Sequence, residues 1–448
     1  MAPKPAPSPV PAAPDDVVAS LGRMTPDQRA AFLGSMSAQD LQALIDANPQ
    51  VMGNTDGVPF PARIAANRIN IHNALNDEQQ KPNPSAARIT QLRAMLAPIE
   101  DPEFARDHSA TAEGTQGNPF DGLMNRQFVA FSHAGGGRMI EMIGNLHPGN
   151  KGVSVYVPGM GTNLNGSSVN HNAAWNLARL SNSPAFLYMN GELPQKLLPE
   201  AAFPGDARAM ARGLVEFGKE VDRAVKDNAP GTPVTYIGHS YGGSVVGSAE
   251  QLGLRADRVL YASSAGTGVY DGPWVNKNPK VQRFSMTAPG DLIGATQSLD
   301  KRINPHGSDP DEMPGVTRLD TGYYSQSNRD HPGEIVFGPD GHGDYWNDPG
   351  STAFANMAGV ISGGDVTGYV ERGIESNKID VNLGDEGHWI DEGIDGVKGL
   401  VLPLISGLHL PRIPGIHRPI VIPQFAKDPY GNPRVTDHPE LGPTIDIK

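Results

Sequence analysis

One pentapeptide constrains this chain more than any other stretch: Gly238-His239-Ser240-Tyr241-Gly242. The run before it, Val234-Thr235-Tyr236-Ile237, is β-type, and the run after it, Gly243-Ser244-Val245-Val246-Gly247-Ser248-Ala249, is small and suited to open a helix. Together they ask for a strand that turns directly into a helix. Such a turn holds its central residue in a strained backbone conformation, so its neighbours must be small. Glycine on both flanks removes the Cβ atoms that would collide across the turn. The Ser240 hydroxyl then stands clear of a sheet at a helix N-terminus, where backbone N–H groups favour developing negative charge. In a chain with 53 glycines a chance G-x-S-x-G is the competing explanation. The flanking strand and helix are what give the motif weight.

Composition narrows the remaining choices. The chain has 448 residues, enough for one large domain with additions or for two to three domains. Its net charge of −13 disfavours nucleic acid and anionic membrane surfaces as main partners, since both repel an acidic chain. There is no cysteine, which excludes disulfides, thiolate metal sites and a cysteine nucleophile. The opening MAPKPAPSPVPAAP lacks the apolar core of a secretory signal, and no run reaches the ~18 apolar residues of a membrane span. The expectation is a soluble protein, cytoplasmic or exported by a non-classical route.

Along the chain, residues 1–14 are Pro/Ala-rich and read as extended and disordered. Residues 15–115 carry helical signals. Thr25-Pro26 opens a helix through Met36, Ser37-Ala38-Gln39-Asp40 resembles a capping box, and Ile89, Leu92 and Leu96 form a stripe. This helical region is expected to pack on the main domain, the alternative being a lid or docking module. Residues 116–363 alternate strand and helix signals, which points to an α/β sheet. Its strands are expected at Phe128–Phe131, Met139–Ile143, Val153–Val157, Ala185–Met189, Val234–Ile237, Arg258–Ala262, Val281–Met286 and Val316–Asp320. The Gly135-Gly136-Gly137 run between the first two lacks phosphate-loop spacing and reads as a hairpin turn. A helix near Gly205–Val225 carries the stripe Met210, Leu214, Phe217, Val221, Val225, and Ser351–Ile361 gives a closing helix. Residues 364–448 form an irregular extension whose apolar run Leu400–Ile405 is too short, and too interrupted by Pro403, to span a membrane.

A serine hydroxyl is a poor nucleophile near neutral pH; it needs a base, and the base an orienting acid. On a sheet of this kind the partners follow as acid and then histidine, each on a loop after a late strand. Thr287-Ala288-Pro289-Gly290-Asp291 supplies an acid directly after a strand, with Asp300 and Asp320 as weaker rivals. For the base, His342 lies in a flexible loop, Gly338-Pro339-Asp340-Gly341-His342-Gly343-Asp344-Tyr345, just ahead of the closing helix. His331, His306 and His388 are the alternatives. The oxyanion of a tetrahedral intermediate needs two N–H donors. One is the backbone of Tyr241, the other that of Met160 in the loop Pro158-Gly159-Met160-Gly161. Asp309, Asp311 and Glu312 near His306 do not complete a calcium-loop pattern, so no metal is assigned.

Five segments now stand in order: Val157-Pro158-Gly159-Met160-Gly161-Thr162, Gly238–Gly242, Ala288-Pro289-Gly290-Asp291, His306-Gly307-Ser308-Asp309-Pro310 and Gly341-His342-Gly343-Asp344-Tyr345-Trp346. Together they resemble an actinobacterial family of α/β-hydrolases long treated as a domain of unknown function. The resemblance covers roughly residues 125–363. It implies the α/β-hydrolase fold, a mostly parallel sheet flanked by helices, with Ser240 as nucleophile, Asp291 as acid and His342 as base. Two stretches depart from the family pattern, Ser263-Ser264-Ala265-Gly266 and Tyr188-Met189-Asn190-Gly191-Glu192.

The expected function is cofactor-independent hydrolysis of a small-molecule or lipid-like ester through an acyl-enzyme. Amide cleavage and acyl transfer use the same parts. The rival from another class is a binding or assembly protein on a hydrolase scaffold, for which the 364–448 extension, larger than catalysis needs, is the place left for a protein partner.

Overall fold

The structure, a computed structural model, describes residues 14–108, 122–191, 193–194, 205–270, 272–291, 293–297, 304, 306–372, 376–381, 420–425 and 441–448. The Pro/Ala-rich residues 1–13, Asp300, His388 and the run Leu400–Ile405 lie outside them.

Buried residues in the central strands alternate between two apolar cores. Val155 and Val157 face one core and Tyr156 the other; Tyr236 and Ile237 divide the same way, as do Val259 and Leu260. A period of two with both faces buried is the pattern of a sheet covered by helices on each side. A short antiparallel pair, β1 (Pro98–Glu100) and β2 (Leu123–Asn125), precedes that sheet.

The main sheet is built from β3 (Gln127–Ser132), β4 (Arg138–Ile143), β5 (Val153–Val157), β6 (Ala185–Met189), β7 (Val234–His239), β8 (Arg258–Ala262), β9 (Gln282–Met286) and β10 (Val316–Arg318). Their order across it is β10-β9-β8-β7-β5-β6-β4-β3. β5 to β10 run parallel, while β4 is antiparallel to both β3 and β6. The β3–β4 connection is the expected hairpin, and Gly135 and Gly137 both adopt positive φ in its turn. The mostly parallel α/β sheet read from the sequence is the fold observed.

On the N-terminal side lie α1 (Pro14–Leu21), α2 (Pro26–Gly34), α3 (Ala38–Ala47), α4 (Pro49–Asn54), α5 (Phe60–Gln80), α6 (Ala86–Leu96) and α7 (Pro102–His108). The full capping box forms at Thr25 and Gln28, not at Ser37. Ser37 Oγ caps the Asp40 N–H, but it also donates to the Asp40 carboxylate, so the return bond to the backbone is missing. Helix α2 stops at Gly34, two residues short of Met36. Leu21, Leu33, Leu44, Ile45 and Met52 form a small core of their own. Helix α5 joins that core to the sheet: Phe60 packs 5.6 Å from the Phe186 ring, and Asn67 Nδ2 donates to the Phe128 carbonyl.

Four further helices complete the layers: α8 (Ser168–Ser181), α9 (Gly205–Asn228), α10 (Tyr241–Gln251) and, after the short α11 (Ile293–Gln297), α12 (Thr352–Ser362). The predicted stripe of α9, Met210 to Val225, is buried along its length. Helix α8 escaped the sequence reading because alanines carry much of its buried face, Ala173, Ala174 and Ala178 beside Leu177, and alanine gives little hydrophobic contrast.

The described residues of the C-terminal extension include two strand pairs. Two short strands, β11 (Asp365–Thr367) and the chain's last, β14 (Thr444–Asp446), pair antiparallel; between them β12 (Ser376–Val381) pairs with β13 (Ile420–Phe425). Ile447 is buried in the main core, and the Asp320 N–H donates to the Thr367 carbonyl. The predicted strand to Asp320 ends at Arg318, because the chain there turns to meet this added layer. Asp320 is buried in an ion pair with Arg372.

Candidate active site

Register decides where the loops meet. Val157 pairs with Gly238, His239 with Ala262, and Ala262 with Met286, so the C-terminal ends of β5, β7, β8 and β9 lie side by side. The segments after them therefore converge on one edge, which is where open α/β sheets hold ligands.

Ser240 occupies the turn between β7 and α10 with φ 53° and ψ −121°. A non-glycine residue at positive φ is strained and persists only where surrounding structure imposes it. Three backbone bonds do so: the Ser240 N–H donates to the Ala262 carbonyl, and the Gly243 and Ala265 N–H groups donate to the Ser240 carbonyl. The flanking glycines are needed for closeness. A Cβ on Gly238 would sit 2.5 Å from Gly243 Cα, and one on Gly242 only 2.1 Å from the Val157 carbonyl oxygen. Neither neighbour is a flexible side-chain tip. Gly242→Ala is therefore expected to push α10 off β5 and destabilise the fold by about 3 kcal/mol. A fall in the urea unfolding midpoint checks this; an unchanged midpoint refutes it.

The acid and the histidine come together as two neighbouring loops. The Gly338 N–H donates to the Pro289 carbonyl at 2.7 Å, and a Cβ on Gly341 would come within 2.8 Å of the Ala288 methyl. That leaves His342 Nδ1 2.9 Å and 3.0 Å from the two carboxylate oxygens of Asp291. An ionised carboxylate only accepts, so Nδ1 carries the proton and Nε2 is left free to accept one. The Asp291 side chain is fully buried and also accepts from the Ile293 N–H. Burial works to lower the His342 pKa, but the Asp291 charge and hydrogen bond outweigh it and hold the imidazole above its ordinary value. Among the described residues the Ser240 hydroxyl makes no hydrogen bond; catalytic hydrogen bonds are often long until substrate is bound.

The other candidates are placed elsewhere. His331 pairs with Glu334, His306 Nδ1 lies 3.0 Å from Ser244 Oγ one turn along α10, and Asp320 is held by Arg372. Tyr241 begins α10, so its N–H stands in the first turn of that helix, directly after Ser240. The Pro158–Gly161 loop crosses directly over the turn: a Cβ on Gly159 would lie 2.9 Å from the Ser240 Cβ. Met160, next in that loop, is exposed.

His239 plays a part that the sequence did not reveal. Its Nε2 donates to the His342 carbonyl at 2.8 Å, and its ring lies 5.1 Å from the His342 ring and 5.2 Å from Trp346. Burial, reinforced by His342, pushes its pKa down to about 3, so it stays neutral and serves as a fixed donor. The motif leaves its second position open, so only the fold shows that this residue ties the turn around Ser240 to the loop of His342. Ser263 is a second such residue. It takes φ 45°, donates its N–H to the Met286 carbonyl, and sits 3.3 Å from the Tyr345 hydroxyl. It belongs to the stretch that departs from the family pattern, and Ala265 two residues on bonds to Ser240 itself.

A strained serine between a parallel strand and a helix, with an acid–histidine pair on later loops at the same sheet edge, is the arrangement of an α/β-hydrolase scaffold. A family model agrees with that class: residues 133–301 match that of an alpha/beta hydrolase family. The uncharacterized protein Rv2079 of Mycobacterium tuberculosis, and its counterpart from a second strain, are 27% identical over 377 residues, covering 73% of this chain and 54% of theirs. The chain thus spans about half the length of the curated relatives it matches. Their origin fits the actinobacterial resemblance read from the five segments. Among solved structures, a dienelactone hydrolase from Anabaena variabilis is 14% identical, covering 50% of this chain and 94% of its own, with a TM-score of 0.32. A thermostable carboxylesterase from a metagenomic library is 15% identical, covering 53% and 87%, with a TM-score of 0.27. The family match supports a hydrolase. No described helix is long and apolar enough to cross a membrane.

Proposed function

We propose that this protein is a serine hydrolase that cleaves a carboxylic ester through an acyl-enzyme, with Ser240 as nucleophile, His342 as general base and acid, and Asp291 as the orienting carboxylate. The observation that carries the reading is the Asp291–His342 pair, with its protonated Nδ1, on the same sheet edge as the strained Ser240. His342 Nε2 takes the Ser240 proton as Oγ bonds to the ester carbonyl carbon. The carbonyl oxygen becomes an oxyanion facing the main-chain N–H groups of Tyr241 and Met160. Collapse breaks the bond to the alcohol, which leaves with the proton held by His342. Water then gives a proton to His342 as its oxygen bonds to the acyl carbon. The second collapse breaks the bond to Ser240 Oγ, which recovers its proton as the acid departs.

The substrate class proposed is a small-molecule or lipid-like ester. The test is labelling with a fluorophosphonate probe, which reacts only with an activated serine. Label is expected on the unmodified protein and on neither Ser240→Ala nor His342→Ala. Label that persists on Ser240→Ala places the reactive serine elsewhere. A folded parent that takes no label rejects the enzyme in favour of a binding protein on this scaffold.

A further inference from the structure

A second concave site lies away from the nucleophile turn. It is a cavity of about 290 Å³ between α9, the last turn of α10 and the loop at 268–270. Arg208 and Arg212, one turn apart on α9, line it together with Ser248, Gln251, Leu252 and Tyr270. No carboxylate is among its described lining residues, although the chain carries a net charge of −13. Arg212 has no ion pair or hydrogen bond among the described residues, and the Arg208 guanidinium lies 5.3 Å from the centre of the Tyr270 ring and donates a hydrogen bond to the Tyr270 side chain. The Gln251 Nε2 is buried with no hydrogen-bond partner. A buried donor without an acceptor costs about 1–3 kcal/mol, and because Gln251 lines the cavity, a reorientation of its amide can bring that donor to an acceptor held there. This cavity therefore gathers two guanidiniums and the Gln251 amide in one place, with no carboxylate among the described residues that line it.

We propose that it binds the phosphate group of a small ligand. A phosphate monoester carries roughly two negative charges at neutral pH and three acceptor oxygens, which matches two guanidiniums, an amide and the Ser248 hydroxyl. The cavity is larger than a bare ion needs and close to the lower end of small-molecule sites, about 300 Å³. Leu252, 51% exposed, and the Tyr270 ring give an apolar wall on which the organic part of a phosphate ester can rest. The site is separate from the catalytic edge: Ser248 follows Ser240 by eight residues on α10, about 12 Å along a helix.

The test is calorimetric titration of the full chain with inorganic phosphate and with phenyl phosphate, against sodium chloride at equal ionic strength. Saturable one-to-one binding is expected for the phosphates and none for chloride. The double variant Arg208→Gln/Arg212→Gln is expected to weaken binding at least tenfold with an unchanged thermal melt, since both guanidiniums sit at the surface. Ser240→Ala is expected to bind as the parent does. Tighter binding of phenyl phosphate assigns the site to an ester, and equal affinity to the free ion. Binding no stronger than chloride, affinity retained in the double variant, or affinity lost in Ser240→Ala each overturns the proposal.

Discussion

Replacing Ser240 with alanine is expected to lower kcat for ester hydrolysis by about a million-fold, the scale found when a serine nucleophile is removed from a group that acts as a unit. Alanine keeps the Cβ and therefore the strain of the turn, where the backbone sits at φ 53°. The unfolding midpoint should then stay close to that of the parent, which separates lost chemistry from lost structure. His342→Ala is expected to cost nearly as much, and the double variant scarcely more, because neither residue accelerates the reaction without the other. Two losses that multiply would mean that the residues act independently, and the proposed mechanism would fall.

Asp291→Asn is the second large effect. An amide presents both a donor and an acceptor, so it no longer obliges His342 to hold its proton on Nδ1. The wrong tautomer points a proton, not a lone pair, at the serine, and about a ten-thousand-fold loss of kcat is expected. The variant also carries a pH signature. The Asp291 charge and hydrogen bond hold the His342 pKa above its ordinary value against the opposing effect of burial. A general base works only when deprotonated, so activity falls on the acidic side as His342 gains a proton. Without the carboxylate's charge the pKa drops, and the acidic limb of the kcat/KM profile moves to lower pH while its plateau collapses. A variant whose limb stays in place would show that Asp291 does not govern that imidazole. His239 does not contribute a competing limb near neutrality, since burial keeps it uncharged down to about pH 3.

Much of the architecture was legible because its signals are local. Most strands of the main sheet appear as short runs rich in β-branched or aromatic residues, and the glycines around Ser240 mark a turn that larger residues cannot make. Helix α9 announced itself through a stripe of large apolar residues; α8 did not, because its buried face is mostly alanine. The candidate site divides the same way. Ser240 stood out as a candidate from its own neighbours, and Asp291 and His342 as candidates from their positions after late strands.

What the amino-acid sequence by itself determined was therefore the strand order along the chain, the tight turn around Ser240 and the short list of acids and histidines. The sequence already preferred Asp291 and His342 within that list; their contact is tertiary. His342 meets Asp291 because a backbone bond from Gly338 to Pro289 lays one loop against the other, while His306 and His331 are engaged by Ser244 and Glu334. His239, Ser263 and the arginine-lined cavity beside α9 belong wholly to the fold. Their partners are distant in the chain, and hydrogen bonds and charges act through space over a few ångströms, a range that sequence spacing does not record.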